Sequence, residues 1–435
     1  MATSNKLDSA YCGHNYICSI IPDFFLQRVL DNTDAEPICR RSCERTLYHT
    51  RRIREARREK CSQCHPRSPQ QSASHQAALP SAIGGAQSQT ATPPPTSSST
   101  EKPQENFAGT SKPTTAATPP APLATKRFVR EIYDCQKLSF LPGTIVLSEV
   151  ESKSADPNAN EVYSHFKNAS DFLFNVLKRY SLDDNGLTLT GCVHFDDDDD
   201  PTGYNNAIWD GTRIICGDGD GVIYNRFTRS LDIIAHELGH GVVQYTANLP
   251  YSKQSGALNE SFADAFGSMV KQYVLGQTAA KADWLIGKEI LTQRMLNKGG
   301  RALRDMKNPG SAFKNLPIGS DPQPRHMSGY VNLPDDGKLQ NDNGGVHVNS
   351  GIPNRAFYLA ATALGGSSWE KAGPIWYAAI ADRRLFDYAN APDGVNYDSC
   401  FPYFANLTIE HALRLFGEDA QAKVKKAWMD VGVLP

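Results

Sequence analysis

Two histidines and two glutamates in the middle of the chain have the spacing of a metal-dependent hydrolase. His236, Glu237 and His240 form the pentapeptide HELGH, and Glu260 follows twenty residues later. Histidines four apart on a helix place both imidazoles on one face, so both can reach one zinc ion. The adjacent glutamate can then take a proton from zinc-bound water. Three protein ligands leave the fourth position open, which predicts a catalytic zinc site that hydrolyses peptide bonds.

Two further side chains are placed to orient the histidines. A bare HExxH motif also occurs by chance, and two solvated helix histidines are the alternative interpretation. Asp264 lies four residues beyond Glu260 on the same helix face, and Asn259 directly precedes Glu260. Each can accept a hydrogen bond from the second ring nitrogen of one ligand histidine, which fixes its tautomer and orientation. This supporting set favours the catalytic interpretation.

The elements around the motif predict an α+β fold with two lobes. Short β-like runs precede the motif, and helical patterns dominate after it, so we expect a β-rich N-terminal lobe and an α-helical C-terminal lobe. The zinc helix lies between the lobes, where a cleft would form. The predicted helices cover residues 160–180, 231–246 and 256–275, and the predicted strands cover residues 144–147, 187–190, 192–195 and 213–216.

The composition excludes several classes of function. The 435 residues carry a net charge of −2, which predicts no general affinity for nucleic acid or membranes. No apolar run approaches the roughly 18 residues that cross a bilayer. The N-terminus lacks the pattern of a conventional signal peptide, so we expect synthesis in the cytoplasm and leave non-conventional secretion open. We expect a monomer.

The N-terminal part differs from the rest in charge and composition. Residues 1–126 carry 15 Lys+Arg and 10 Asp+Glu, while the remainder carries 30 and 37. Residues 66–126 are rich in Ser, Thr and Pro, and such a stretch buries too little apolar area to offset its ordering entropy. Six of the ten cysteines lie before residue 65. Reduced thiols are expected, although Cys39, Cys43, Cys61 and Cys64 leave a four-thiolate zinc site open.

Several motifs in order resemble the thermolysin family of neutral zinc metallopeptidases. The resemblance spans nearly all of residues 127–435 and is far more specific than the pentapeptide alone. The matching stretches are residues 205–209, 217–221, 236–240, 256–267 and 341–351. It implies a thermolysin-like two-lobed endopeptidase, with residues 127–248 as the N-terminal catalytic lobe and residues 249–435 as the helical lobe.

The resemblance also implies roles for individual residues. His236, His240 and Glu260 would hold zinc, and Glu237 would be the general base. The remaining roles are oxyanion binding by His347 and Tyr251, orientation of His347 by Asp342, binding of the substrate main chain by Asn206, Ala207 and Arg304, and an apolar specificity pocket of Leu303, Ile233 and Phe227. The pocket implies cleavage on the amino side of Leu, Phe or Ile. From the residues alone, His347 is a polar loop residue, Arg304 a surface charge and Tyr251 a packed turn aromatic.

Calcium binding is where the chain departs from the family. Asp232 and Asp283 match two carboxylates of the double calcium site of thermolysin, but Lys271 and Lys288 stand where two others would be. An ammonium group cannot ligate calcium, so we expect this double site to be lost and replaced by Lys–Asp pairs. The acidic run at residues 196–200 is expected to be a solvated loop rather than a weak calcium site.

The segment from Ile21 to Leu26 resembles the short propeptide of the protealysin-like branch, which has no signal peptide. Asp23 stands where a second proline is expected, so the match is partial. It implies a zymogen with residues 1–65 as propeptide, residues 66–126 as linker, and self-cleavage near Lys126 and Arg127. The alternative is a disordered tail without inhibitory role.

Two other functions stay open at this level. A zinc aminopeptidase shares HExxH and a downstream glutamate, but the acidic motif for a substrate amine is absent from the sequence. A non-catalytic peptide-binding relative would keep the fold without turnover.

Overall fold

The N-terminal segment and the body belong together in the fold. The computed structural model describes residues 17–64, 128–198 and 202–435, which lie in one compact unit. The expected linker over residues 66–126 and the expected maturation site at Lys126 and Arg127 lie outside the described residues. Among the described residues, no helix is both long and apolar enough to span a bilayer.

The N-terminal segment consists of one short strand and two helices. These are β1 (Cys18–Ser19), α1 (Asp23–Asp31) and α2 (Pro37–Cys64). α1 follows Pro22, which is still extended (φ −60°, ψ 139°) but has no amide hydrogen to continue strand pairing, and α1 buries an apolar face against the body. Cys43 and Cys61 are eighteen residues apart on α2, which is roughly 27 Å along a helix. This distance argues against one four-thiolate site built from both cysteine pairs of the same chain.

A mixed six-stranded sheet forms the N-terminal lobe of the body. Besides β1, the elements of this lobe are β2 (Arg130–Asp134), β3 (Thr144–Leu147), α3 (Pro157–Asn175), β4 (Leu189–Val193), β5 (Ala207–Trp209) and β6 (Ile214–Cys216). The strand order is β1-β5-β6-β4-β2-β3, so the N-terminal segment supplies one edge strand. β1 runs antiparallel to β5, with Cys18 opposite Trp209 and Ser19 opposite Ile208.

Helices make up most of the remainder, as expected. The elements are α4 (Leu231–Gln244), α5 (Lys253–Leu275), β7 (Leu285–Ile286), α6 (Gln293–Asn297), β8 (Arg304–Asp305), α7 (Asp342–Asn349), α8 (Gly351–Leu364), α9 (Ala372–Ile380), α10 (Arg383–Ala389) and α11 (Cys400–Asp430). The predicted α+β class is confirmed. α4 and α5 are almost entirely buried, which is why neither shows a clear polar face in the sequence.

Glycines let α4 and α5 approach each other closely. A Cβ added to Gly239 would lie 2.9 Å from the Cα of Ala263, and one added to Gly267 would lie 2.3 Å from the carbonyl oxygen of Asp232. Any larger residue would push the helices apart, because protein interiors do not absorb such overlaps without backbone shifts. The close contact brings Glu260 on α5 beside the histidines on α4.

Polar side chains of α2 bind the loop that was expected to be a solvated acidic run. Asp197 is buried and lies 2.7 Å from the ring nitrogen of His49, and Asp196 is buried and accepts from the Gly203 amide at 3.0 Å. The solvated-loop interpretation is therefore wrong for these two residues. Buried carboxylates need such partners, since an unpaired charge in the interior is costly.

Candidate metal centre and substrate cleft

Three buried side chains bring metal-binding atoms together. His236 and His240 lie one turn apart on α4, with 3.0 Å between their Nε2 atoms. The carboxylate of Glu260 lies 3.5 Å from each of these nitrogens. Ligand atoms of the three residues all lie within 4.8 Å of one another. Cys18, although buried nearby, is not part of this group.

The spacing of the three residues fits one zinc ion. Bonds of 2.0–2.1 Å at tetrahedral angles place neighbouring ligand atoms about 3.3–3.4 Å apart. The observed separations of 3.0 Å and 3.5 Å bracket that value. Burial lowers the pKa of His240 to about 3, which favours the neutral imidazole that binds metals.

Each histidine ring also contacts a polar side chain through its second nitrogen. The Nδ1 atom of His236 lies 2.8 Å from Asp264, and that of His240 lies 2.9 Å from the amide oxygen of Asn259. The amide oxygen of Asn259 places the proton of His240 on Nδ1, and the carboxylate of Asp264 beside Nδ1 of His236 favours the same tautomer there. Each Nε2 lone pair then faces the position where the metal would lie.

Asp264 is also the centre of a charged network that the sequence revealed only in part. Arg304 donates to both of its oxygens, at 2.8 and 2.7 Å, and all of these groups are buried. Asn354, which sequence reasoning did not single out, donates to Asp264 at 2.8 Å. Burial opposes ionisation of Asp264, but Arg304 and His236 outweigh it and hold its pKa below the ordinary value. The interpretation of Arg304 as a surface charge is therefore wrong.

Glu237 is fully buried on α4 next to the first histidine ligand. Burial, followed by the negative charge of Glu260, raises the pKa of Glu237 well above its ordinary value. A bound divalent cation would act in the opposite direction, because it stabilises nearby negative charge. A carboxyl group under these opposing influences suits proton transfer near neutral pH.

His347 and Tyr251 meet on the other side of the metal ligands. The Nε2 atom of His347 lies 3.1 Å from the Tyr251 hydroxyl, which also donates to Glu260. Asp342 lies 2.6 Å from Nδ1 of His347, as expected for a residue that orients the ring. Burial opposes protonation of His347, but Glu260 and Asp342 outweigh it and raise its pKa to about 9. His347 lies in α7, which begins with left-handed residues, so the loop interpretation is wrong.

The N-terminal segment runs through this cleft beside the expected substrate-binding residues. Asn206 accepts from the amide of Ile21 at 2.9 Å and donates to its carbonyl at 3.1 Å. The carbonyl of Ala207 accepts from the Ile20 amide at 3.0 Å, and Arg304 donates to the Ile20 carbonyl at 3.2 Å. Sequence reasoning missed the two-residue strand that makes this possible, because so short a run has no periodicity.

The three residues expected to line the specificity pocket are all buried. Leu303, Ile233 and Phe227 belong to the large apolar core of the protein, as does Ile20. Side-chain atoms of Leu303 and Ile233 both lie within 3.2 Å of the position that a Cβ atom would take on Gly287, so the two side chains share one wall. These residues are core residues, and the structure also brings two of them to one place, as a pocket wall requires.

Lys271 lies among carboxylates at the region matched to the calcium site. Its ammonium group is 3.0 Å from Asp232, 3.7 Å from Asp283 and 3.6 Å from Glu289. Burial opposes its charge, but the three carboxylates outweigh burial and raise the pKa of Lys271 above its ordinary value. Lys288 is exposed.

Comparison with known proteins agrees with this geometry. Two family profiles match the body: the catalytic domain of the thermolysin metallopeptidases over residues 125–244 and their alpha-helical domain over residues 247–433. An extracellular metalloprotease of Pectobacterium carotovorum subsp. carotovorum is 48% identical over 304 residues, which cover 70% of this chain and 81% of the relative. Neutral protease NprE of Bacillus pumilus is 37% identical over 304 residues, which cover 69% and 86%.

A solved precursor resembles the whole arrangement. It is the precursor of protealysin, a metalloproteinase from Serratia proteamaculans, with a TM-score of 0.69 and 35% identity over 96% of this chain and 100% of that chain. A mixed sheet, a helical lobe and a three-ligand centre between them define a zinc metallopeptidase. The chain belongs to the thermolysin metallopeptidase family, in its protealysin-like branch.

Proposed function

We propose that the chain is a latent neutral zinc endopeptidase that cleaves on the amino side of bulky apolar residues and processes its own precursor. The observation that carries the proposal is the carbonyl of Ser19, which accepts a hydrogen bond from His347 at 2.9 Å beside the three metal ligands. This contact supports the proposal, because the carbonyl of a substrate would need the same hydrogen bond from His347 in order to react. The family membership supports the reaction class.

The roles of the residues follow from their positions. A zinc ion held by His236, His240 and Glu260 would polarise the substrate carbonyl and acidify its bound water. Glu237 would accept the proton of the attacking water and deliver it to the leaving nitrogen. His347 and Tyr251 would donate hydrogen bonds to the oxygen that gains negative charge.

The apolar preference is proposed from the pocket walls. Leu303 and Ile233 offer only hydrocarbon surface, so a charged side chain in the pocket would lose its hydration without a partner. A peptide library digested by the matured enzyme should show Leu, Ile or Phe directly after the cleaved bonds. A digest without this preference would refute the specificity while leaving the peptidase activity in place.

The experiment on the reaction itself uses Glu237→Gln in the full chain. We expect its hydrolysis of casein and of internally quenched peptides to fall at least about 100-fold, because the general base is lost. Zinc binding should persist, since Glu237 is not a ligand. The matched control is Glu418→Gln at an exposed position, which should behave as wild type. Hydrolysis that resists chelators, or that requires a free substrate amine, would contradict an endopeptidase with a zinc centre.

We further propose that the double calcium site is replaced by the pairs around Lys271. One ammonium group neutralises part of the charge of three carboxylates that would otherwise repel each other. The proposal predicts that calcium leaves the melting temperature unchanged. A calcium-dependent rise of several degrees would overturn it.

We also propose that the enzyme acts outside the cell as a monomer, without nucleic-acid or membrane partners. The small net charge supports the absence of such partners, and the Pectobacterium relative is named an extracellular metalloprotease. Light scattering of the purified chain and fractionation of producing cells test both statements. A stable dimer, or activity confined to the cytoplasm, would contradict them.

A further inference from the structure

The N-terminal strand is held in the cleft through three consecutive main-chain groups. The Ser19 carbonyl accepts from His347 at 2.9 Å, the Ile20 amide donates to Ala207 at 3.0 Å, and the Ile20 carbonyl accepts from Arg304 at 3.2 Å. These groups follow one another along the chain without a gap. The strand therefore has a defined direction and register relative to the residues that act on a substrate.

That register identifies one peptide bond. The proposed function assigns His347 to the carbonyl that reacts and Arg304 to the next carbonyl of the substrate. The first of these positions holds the Ser19 carbonyl, and the second holds the Ile20 carbonyl. The bond between Ser19 and Ile20 therefore occupies the position of the bond to be cleaved.

The side chain after this bond satisfies the apolar preference. Ile20 is apolar and fully buried, and it belongs to the large apolar core of the protein that also includes Leu303 and Ile233. Two hydrogen bonds between Asn206 and Ile21 fix the next residue. A shift of the strand by one residue would turn Ile20 away from the buried face and break these contacts, because strand side chains alternate.

We propose that the Ser19–Ile20 bond is a substrate of the same molecule, so that the precursor carries a built-in cleavage site within its inhibitory strand. The proposal rests on the proposed function. One water molecule is consumed: its oxygen bonds to the Ser19 carbonyl carbon, the bond to the Ile20 nitrogen breaks, and a proton passes through Glu237 to that nitrogen. The products are a Ser19 carboxylate and an Ile20 ammonium group, which also holds the second proton of the water.

The cut would leave the residues before Ile20 weakly held and the residues from Ile20 onwards still bound to the body. Of the described residues before the cut, β1 holds the segment through its pairing with β5. Beyond the cut, Asp23 and Arg54 form an ion pair, and His49 contacts Asp197 at 2.7 Å. A nicked intermediate that keeps residues 20–64 bound therefore precedes full activation. Asp23, where the family pattern has a proline, contributes to this retention.

The test follows the full chain after zinc is added to metal-free precursor. Mass spectrometry and N-terminal sequencing should find a new N-terminus at Ile20, with a first-order rate constant that does not change over a tenfold range of protein concentration. Glu237→Gln should abolish the cut. Ile20→Asp should slow it at least about 100-fold, and Ile20→Leu should stay within about tenfold of wild type. The matched control, Ile38→Asp at an exposed helix position, should cut normally.

A second measurement does not depend on catalysis. In metal-free Glu237→Gln, hydrogen exchange should be slow at the amides of Ile20 and Ile21, which are bonded to Ala207 and Asn206. Ile20→Asp should speed this exchange, and Ile38→Asp should not. Fast exchange at these two amides in Glu237→Gln would overturn the proposed position of the strand in the cleft, even if the Ile20→Asp variant failed to fold.

The outcomes separate this proposal from the proposed function. An intact Ser19–Ile20 bond in a preparation that matures and hydrolyses added peptides overturns the built-in site alone. A rate that rises in proportion to protein concentration also overturns it, because the cut would then occur between molecules. If no preparation hydrolyses any peptide with zinc present, the proposed function fails, and the built-in site fails with it.

Discussion

Replacing Asp264 by asparagine should weaken both the fold and the metal site. Asp264 is completely buried, accepts hydrogen bonds from Arg304 and Asn354, and lies 2.8 Å from Nδ1 of His236. Asp264→Asn keeps the volume but leaves the guanidinium of Arg304, itself 4% exposed, without its charged partner. Breaking a buried ion pair from one side costs about 3–5 kcal/mol of unfolding free energy. Losing the carboxylate behind a histidine ligand costs about 10–100-fold in metal affinity.

Two assays separate the effects. Urea unfolding of the metal-free full chain gives the free energy of unfolding, and competition with a chromogenic chelator gives the zinc affinity. Adding Arg304→Met to Asp264→Asn removes the orphaned charge, so part of the stability should return while zinc affinity stays low. The control is Asp171→Asn, whose exposed partner Lys167 lies 2.5 Å away, and it should change stability by less than about 1 kcal/mol.

Two results would contradict these roles of Asp264. If Asp264→Asn unfolds within about 1 kcal/mol of wild type and binds zinc equally well, the network around Asp264 neither stabilises the fold nor orients the ligand. Loss of stability with unchanged zinc affinity would refute only the orienting role.

Three further predictions concern other parts of the molecule. The hydrogen bond to Asp218 outweighs burial and raises the pKa of His194 to about 9, so the stabilisation by protonated His194 is complete below about pH 6.5 and is lost as pH rises through 9. The difference in unfolding free energy between wild type and His194→Asn should therefore shrink over that range, by up to about 2 kcal/mol, and a constant difference would contradict the pairing. Lys271→Met leaves the buried Asp232 carboxylate without its closest cation and should cost about 3–5 kcal/mol in urea unfolding, and a neutral effect would be evidence against the pair. Cys18→Ser should remain latent in a peptide assay, because Cys18 is not in the metal-ligand group, and immediate activity would indicate a thiol latch instead.

The metal site was predictable because its geometry is mostly local. Helical spacing alone faces His236 and His240 towards one point, and the same argument along the next helix places Asp264 relative to Glu260. What the spacing does not contain is the distance between the two helices. The close approach at Gly239 sets that distance, and it becomes visible only when Ala263 is seen opposite.

The partners that sequence reasoning missed are distant along the chain. Asn354 lies ninety residues beyond Asp264, and His49 lies on a different segment from Asp197. Neither contact has a local pattern, because both arise from how separate elements pack. The strand at Ser19 was missed for a related reason: it is extended because β5 offers it hydrogen bonds, and not because two residues prefer that conformation.

X-ray absorption spectroscopy at the zinc K-edge on the purified full chain, with metal analysis, tests the central claim most directly. The account predicts one zinc per chain, bound by two imidazole nitrogens and a carboxylate oxygen at about 2.0–2.1 Å. Glu237→Gln should retain this zinc, and Glu260→Ala should lose it or bind it far more weakly. A sulfur ligand at about 2.3 Å, or full zinc occupancy without Glu260, would contradict the assignment of His236, His240 and Glu260 as the metal centre.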